Sequence, residues 1–473
     1  MNSKDKLKKE KRKRHFMNQS TKINYKFHFK ETIKLAIPVS IGQLGHIMLG
    51  VGDSFMVGRL GAEELAASSL ANGLFFLILV LGIGMSFAIT ALIAIAKGEG
   101  NNEECGIIVR QALLVNLIFS VILTVLTYTA AQLVGYLNQQ PEVATLTQSY
   151  LEILSISIFP FMLFQTYRQF LEGLSYTKPP MYMAILANFI NIFGNWIFIF
   201  GNLGMPAYGL DGAGYATLIT RIFMGLGMMF YVLKATRFKE YDPTLKFKSV
   251  NYKVIRRIIR VGLPSGFILS MEVGAFALAA IIIGWFGSKQ LAAHQIAINL
   301  ASISYMVVLG ISAASTIRVG NYFGKKNMLD VKGAGNSGLI LAIIFMSFTG
   351  VLFIVLNKFL PSLYISDSKV IEVASGLLII AALFQLSDGI QAVGIGVLRG
   401  LTDVKIPMYI IFVAHWIIGI PIGLLLAFSC KMEVMGVWIG LLVGLTISAV
   451  SFVVRFRIKM KTPSRKPYKV EMG

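Results

Sequence analysis

From Thr32 to Val454 the chain repeats one pattern: long runs of mostly apolar residues, broken by short turns rich in Gly, Asn, Pro and Lys. Twelve such runs lie near 33–58, 65–96, 107–134, 146–172, 181–203, 212–234, 258–285, 290–318, 334–357, 370–398, 407–428 and 434–454. Each is close to the roughly 20 residues a helix needs to cross a hydrocarbon core of about 30 Å. Backbone groups in lipid must find partners within the protein, so only helices or a closed barrel can span. The runs are too long and too continuously apolar for barrel strands of about 10 alternating residues. The pattern therefore predicts an all-α membrane protein of twelve transmembrane helices.

Composition supports a lipid solvent: 55% of residues are hydrophobic and only 14% charged, against about 45–50% and about 25% in soluble domains. The net charge of +21 reports where the cations sit rather than a polyanionic partner. Most Lys and Arg fall in one alternating set of loops: the tail from Lys4 to Arg14, the Lys97–Arg110 turn, Lys178, the 234–260 segment, Lys325 to Lys332, Lys405 and the C-terminal tail. The other set holds little beyond Arg59, Lys289, Lys358, Lys369 and Lys431. This asymmetry predicts a multi-pass protein of the cell membrane with both termini and the 234–260 segment in the cytoplasm. The basic N-terminus then reads as a cytoplasmic anchor, not as a signal peptide or a nucleic-acid arm. Cys105 and Cys430 are far apart, without close metal-type partners, and receive no chemistry.

The chain also repeats itself. Leu60 to Ala67 matches Phe286 to Ala293 at an offset of 226, and at that offset Pro38 meets Pro264, Gly84 meets Gly310 and Gly98 meets Gly324. At 227, Leu174 to Tyr182 meets Leu401 to Tyr409. A unit of six helices is even, so both copies enter the membrane in the same direction: two six-helix lobes related by a parallel internal repeat, the architecture of transporters that rock two bundles about a central site. The expected organisation is a basic tail 1–30, an N-lobe 31–235, a linker 236–257, a C-lobe 258–457 and a basic tail 458–473. No filter-like loop of a channel is seen.

Ionisable residues inside spans are functional candidates by default. At about 1.5 Å per residue, Glu272 lies roughly 18 Å beyond Arg260 and Asp388 roughly 16 Å before Arg399, both near the midplane. Asp53 lies about 9 Å below Arg59, at the level of Thr217, while Asn191 and Asn195 lie roughly 20–25 Å above Lys178, in the outer half. Depth thus predicts an outer-half polar group in the first lobe and an acidic pair in the second. Simpler readings stand beside these. Glu272 or Asp388 is then a protonated core residue, Asp53 a cap at the outer end of its helix or a partner of Arg59, Arg168 and Glu172 an i,i+4 ion pair, and Asn191, Asn195 and Thr217 interhelical glue. His294 and His415 read as structural.

Several motifs resemble the multidrug and toxic compound extrusion (MATE) family, NorM-type bacterial branch. They include Gly52-Asp53, Phe170-Leu171-Glu172-Gly173, Asn191-Ile192-Phe193-Gly194-Asn195-Trp196 and Glu272-Val273. They continue with Ala292 to Asn299, Ile317-Arg318-Val319-Gly320, Gln385-Leu386-Ser387-Asp388 and Leu398-Arg399-Gly400. The resemblance runs from about residue 30 to 457. It implies two lobes in a V and export of organic cations against Na+ or H+. Cation-coupling acids then fall on Glu272 and Asp388, which also hold any Na+. A first-lobe site falls on Asp53, Asn191, Asn195 and Thr217, with Gln295, Asn299, Gln385, Arg168 and Glu172 in supporting places. Two departures stand out: Phe384 replaces a Tyr that such members often carry, and Asn195 is neutral where some proton-linked relatives have Asp.

The expected function is a secondary antiporter exporting lipophilic organic cations for Na+ or H+, in contact with membrane lipids, needing no cofactor and binding no nucleic acid. A lipid or polysaccharide flippase would be expected to carry a basic central cavity. A membrane-embedded enzyme would need an acid, base or nucleophile cluster that the scattered histidines do not supply.

Overall fold

The computed structural model describes residues 23–137, 139–243 and 250–461. The Lys4–Arg14 tail, residues 244–249 of the segment between lobes, and the C-terminal residues from 462 lie outside the described residues. The described chain is helical, without strands. Its principal helices are α1 (Tyr25–Val57), α2 (Ala62–Gly98), α3 (Asn102–Leu133), α4 (Pro141–Ile156), α5 (Ile158–Gly173), α6 (Lys178–Phe198), α7 (Gly209–Lys234), α8 (Tyr252–Gly284), α9 (Ser288–Gly324), α10 (Met328–Val355), α11 (Ser368–Gly400), α12 (Lys405–Ser429) and α13 (Glu433–Lys461). Eleven are long and apolar enough to cross a membrane, and α4 with α5, bent by 41° at Ser157, make a twelfth span.

That bend corrects the expectation of one continuous helix over 146–172. Pro160 has no N–H for the carbonyl of Ile156 and its ring crowds that carbonyl, so the first segment ends there. Pro421 acts similarly in α12, whose flanking turns 412–419 and 425–429 open to π-helical spacing. Several helices also extend beyond their apolar runs, because capping continues the backbone ladder into the polar region.

The caps show the repeat. Asn24 and Asn251 accept from the backbone N–H three residues on, at 3.1 and 3.2 Å, and so do Asn101 and Asn327, at 2.9 and 3.2 Å. These pairs are separated by 227 and 226 residues, the offsets of the sequence repeat. All four lie at the end bearing the Lys- and Arg-rich loops, called here the basic end.

The halves meet at that end. One apolar core joins α2 to α7 with the start of α8 (Val254, Ile258, Val261), while the start of α1 (Ala36) packs into a core of the second half. Thus α2 lies along α8 and α1 along α9. A side chain at Gly98 would collide with the carbonyl of Asn321, and one at Gly324 with that of Ile95, two contacts related by the repeat. Gly84 meets Gly266, and Gly310 meets Ser40, in the same symmetric way. Polar contacts cross the seam on both sides, but with different partners: Arg257 of α8 pairs with Glu104 of α3 at 3.3 Å on one side, and an arginine–histidine cluster forms on the other. Arg318 of α9 donates to Thr32 Oγ1 at 2.6 Å and to the His28 carbonyl, its other terminal nitrogen is 2.7 Å from His28 Nδ1, and His28 Nε2 is 3.2 Å from Asp330. The repeat-related Val254 and Ile258 are apolar and buried. Away from this seam, Met48, Val51 and Phe55 of α1 and Gln295 and Asn299 of α9 are exposed.

Candidate functional site

In the first half the four residues placed at one depth by sequence do meet. Asn195 on α6 donates from Nδ2 to Asp53 Oδ1 on α1 at 2.6 Å and to Asn191 Oδ1 at 3.3 Å. Thr217 on α7 donates to the other Asp53 oxygen at 3.3 Å. Asn191 and Asn195 stand one turn apart on α6, so both amides face α1. Asp53, Asn191 and Asn195 are buried. The alternative pairing of Asp53 with Arg59 does not form: Arg59 lies over the Phe55 ring, 4.8 Å from its centre.

In the second half, the rings of Phe276 on α8 and Phe384 on α11 touch, with centroids 5.8 Å apart. Glu272 lies one turn from Phe276 and Asp388 one turn from Phe384, each toward the basic end because the two helices run in opposite directions. The two acids therefore share a level, as their estimated depths required. Both are buried. Tyr305 of α9 donates its hydroxyl to Glu272 Oε1 at 3.1 Å. Asp388 Oδ1 has no hydrogen-bond partner among the described residues. Phe384 itself packs on Phe276 and Trp438, so the tyrosine hydroxyl in this half comes from α9 and serves the other acid.

Between the halves lies a narrow cavity of about 40 Å³. Glu272, Tyr305 and Arg399 line it from the second half, Arg168 and Glu172 from the first. Arg168 Nε donates to Glu172 Oε1 at 2.8 Å, so the expected ion pair forms, and it also faces the cavity. Arg168 Nη1 lies 3.1 Å from His46 Nε2, and the His46 ring rests edge-on against Phe161 and Phe164. Arg399 stacks on Phe87, 4.4 Å from the ring centre. The cavity lining is therefore mixed in charge, with Arg168, Glu172 and Arg399 on the basic-end side of Glu272.

Of the supporting residues, Gln385 is buried and takes a hydrogen bond from Thr349. Gln295 and Asn299 are exposed and do not join the Glu272 group. His294 accepts from Trp438 Nε1 at 3.1 Å, and His415 Nδ1 lies 3.3 Å from the Ile411 carbonyl, both structural roles. Sequence reading missed His46, Tyr305 and Arg399 as site residues. Their signal was a polar group inside an apolar run, but no spacing tied them to partners on other helices.

A family model described as MatE matches residues 38–197 and 264–425, one block in each half. The multidrug resistance protein NorM of Photobacterium profundum is 34% identical over 438 residues, covering 92% of this chain and 96% of that protein. A probable multidrug resistance protein NorM of Agrobacterium fabrum is 34% identical over 439 residues, covering 92% and 94%. Among solved structures, the eukaryotic MATE transporter AtDTX14 superposes with a TM-score of 0.85 at 20% identity, over 92% of this chain and 96% of that one. An outward-facing multidrug resistance MATE family transporter of the MOP superfamily gives 0.83 at 21% identity, with the same coverages. At such identities the structures speak for the fold.

Proposed function

Because this chain belongs to the MatE family, we propose that it exports lipophilic organic cations in exchange for Na+ or H+ moving inward. It is a transporter and not an enzyme, and multidrug efflux is the activity for which its 34%-identical relatives are named. One observation carries the cation-coupled reading. Among the described residues, the buried carboxylates Asp53, Glu272 and Asp388 form no ion pair, whereas buried Glu172 is paired with Arg168. An unpaired carboxylate in a membrane interior is costly until a cation or a proton neutralises it.

The mechanism follows from that cost. With the halves closed at the basic end, in our reading the cytoplasmic end, the acids are reached from outside. Na+ or H+ entering from there neutralises a carboxylate and weakens its hold on a cationic guest, which leaves outward. Tyr305 orients Glu272, and Asn195 and Thr217 orient Asp53, for that exchange. Opening the other way exposes the acids to the cytoplasm, where the coupling cation departs and a new guest binds. Only a difference in affinity between the two states can drive the cycle, and the membrane potential adds about 2.3 kcal/mol per charge per 100 mV.

A phosphate-carrying flippase is less well supported. Across its lining the central cavity sets Arg168 and Arg399 against Glu172 and Glu272, without the surplus positive charge such a guest needs. The test is dye efflux from proteoliposomes under an imposed Na+ gradient and then an imposed pH gradient. Efflux driven by either gradient supports antiport; efflux indifferent to both removes it.

A further inference from the structure

A second cavity, of about 520 Å³, opens at the basic end of the first half, between α1, α6 and the end of α7. It is far larger than the central cavity and shares no residue with it. Its rim carries Lys34, Lys178 and Arg237, and among the described residues no carboxylate lines it. None of these three cations forms an ion pair among the described residues; Arg237 lies only against the rings of Tyr176, Tyr231 and Phe238, 5.6–5.7 Å from their centres. The inner wall is apolar, from Leu35, Met183, Leu186 and Met228, and Ser175 and Thr177 add hydroxyls near the rim.

The internal repeat supplies a control. The turn Ser175-Tyr176-Thr177-Lys178 corresponds to Thr402-Asp403-Val404-Lys405 in the second half, and Ser175 and Thr402 share a positive φ of 68° and 56°. In that second turn Asp403 is paired with Arg455 at 2.7 Å and with Lys459 at 3.4 Å. In the first, a tyrosine stands where the acid would be, and the nearby cations are left without a counter-charge. The backbone is repeated while the neutralising group is not.

We propose that this cavity binds an anionic phospholipid. Lys34, Lys178 and Arg237 take the phosphate of the headgroup, helped by the two hydroxyls, and the apolar wall takes the upper part of an acyl chain. Basic pockets between helices at the cytoplasmic side suit such headgroups. A free phosphate would satisfy the cations but leave the apolar wall unused. The apolar wall continues outward, which favours the lipid: Tyr182 and Leu186 of the lining and Phe189 beyond it are 60%, 46% and 67% exposed. Their spacing of four and three residues puts them on one face of α6, a path for the rest of the chain along the outside of the bundle.

The test uses the full chain in neutral detergent, with thermal unfolding followed as phosphatidylglycerol, phosphatidylcholine, glycerol 1-phosphate or inorganic phosphate is added. Phosphatidylglycerol should stabilise at the lowest concentration, phosphatidylcholine only at much higher ones, and the soluble phosphates little. Lys178→Gln with Arg237→Gln should raise the phosphatidylglycerol midpoint about twenty-fivefold, at roughly fivefold per charge. The charge-keeping pair Lys178→Arg with Arg237→Lys should keep it, and Lys405→Gln in the other half should leave it unchanged. Should the double variant not fold, each single variant reports its own fivefold change. Equal midpoints for the two lipids, unchanged midpoints in the charge-removing variants, or soluble phosphate as effective as phosphatidylglycerol would overturn the proposal.

Discussion

Asn195 Nδ2 donates to Asp53 Oδ1 across 2.6 Å, tying α6 to α1 inside the first half. The amide has a second acceptor in Asn191, so its donor side is turned toward oxygen, and the hydrogen bonds to the Asp53 carboxylate come from neutral groups, Asn195 and Thr217. In the proposed cycle this carboxylate, which forms no ion pair among the described residues, is one that a mobile cation or proton would neutralise.

Replacing Asp53 by Asn keeps the shape and removes the charge. The expected result is loss of cation-stimulated dye efflux by at least about tenfold, since coupling needs a charge that can be neutralised, with membrane expression held. Normal efflux in Asp53→Asn would leave the residue a structural contact only.

The Arg168–Glu172 pair offers a stability test. Removing one partner of a buried pair costs about 3–5 kcal/mol, while replacing both with apolar residues of similar size is often neutral. Glu172→Gln should therefore lower the unfolding temperature clearly, and Arg168→Met with Glu172→Leu should recover most of the loss. Equal losses in the single and double variants would mean that the pair's role is not electrostatic.

The seam between the halves rests on Gly98 and Gly324, each against the other half's backbone. Gly98→Ala puts a methyl into that contact at about 1–3 kcal/mol, a cost borne only by the state closed at the basic end. A cysteine at Thr316, in the central cavity, placed in a cysteine-free background, should then react several-fold faster with a thiol reagent applied from the basic side. No acceleration would show that closure does not depend on this contact.

Orientation is tested with the same reagent. In a background without Cys430, which is exposed, Gln139→Cys should be labelled in intact cells and Lys332→Cys should not. The reverse pattern would invert the protein.

Much of this was legible because helices convert residue number into depth at a constant rise. That is why Asp53, Asn191, Asn195 and Thr217 could be placed together, and Glu272 level with Asp388, before any contact was known. The offset of 226 likewise foretold paired features such as Gly98 with Gly324. Depth says nothing of azimuth, however. Nothing in the sequence showed that Tyr305 turns toward Glu272, that His46 meets Arg168, or that Gln295 and Asn299 turn away. The break at Ser157 did carry a signal, Pro160 four residues after Ile156, but the hydrophobic run masks it because the run continues unbroken across the bend.

The most direct measurement takes Glu272→Gln, Asp388→Asn and the double variant through dye efflux from proteoliposomes under imposed Na+ and pH gradients. Two buried acids at one level, neither in an ion pair among the described residues, should act as one coupling unit. Groups that act together give non-additive losses. Each single variant should lose gradient-driven efflux, with the double variant little worse than either. Losses that multiply would assign the two acids separate jobs, and full gradient-driven efflux in both single variants would contradict the account.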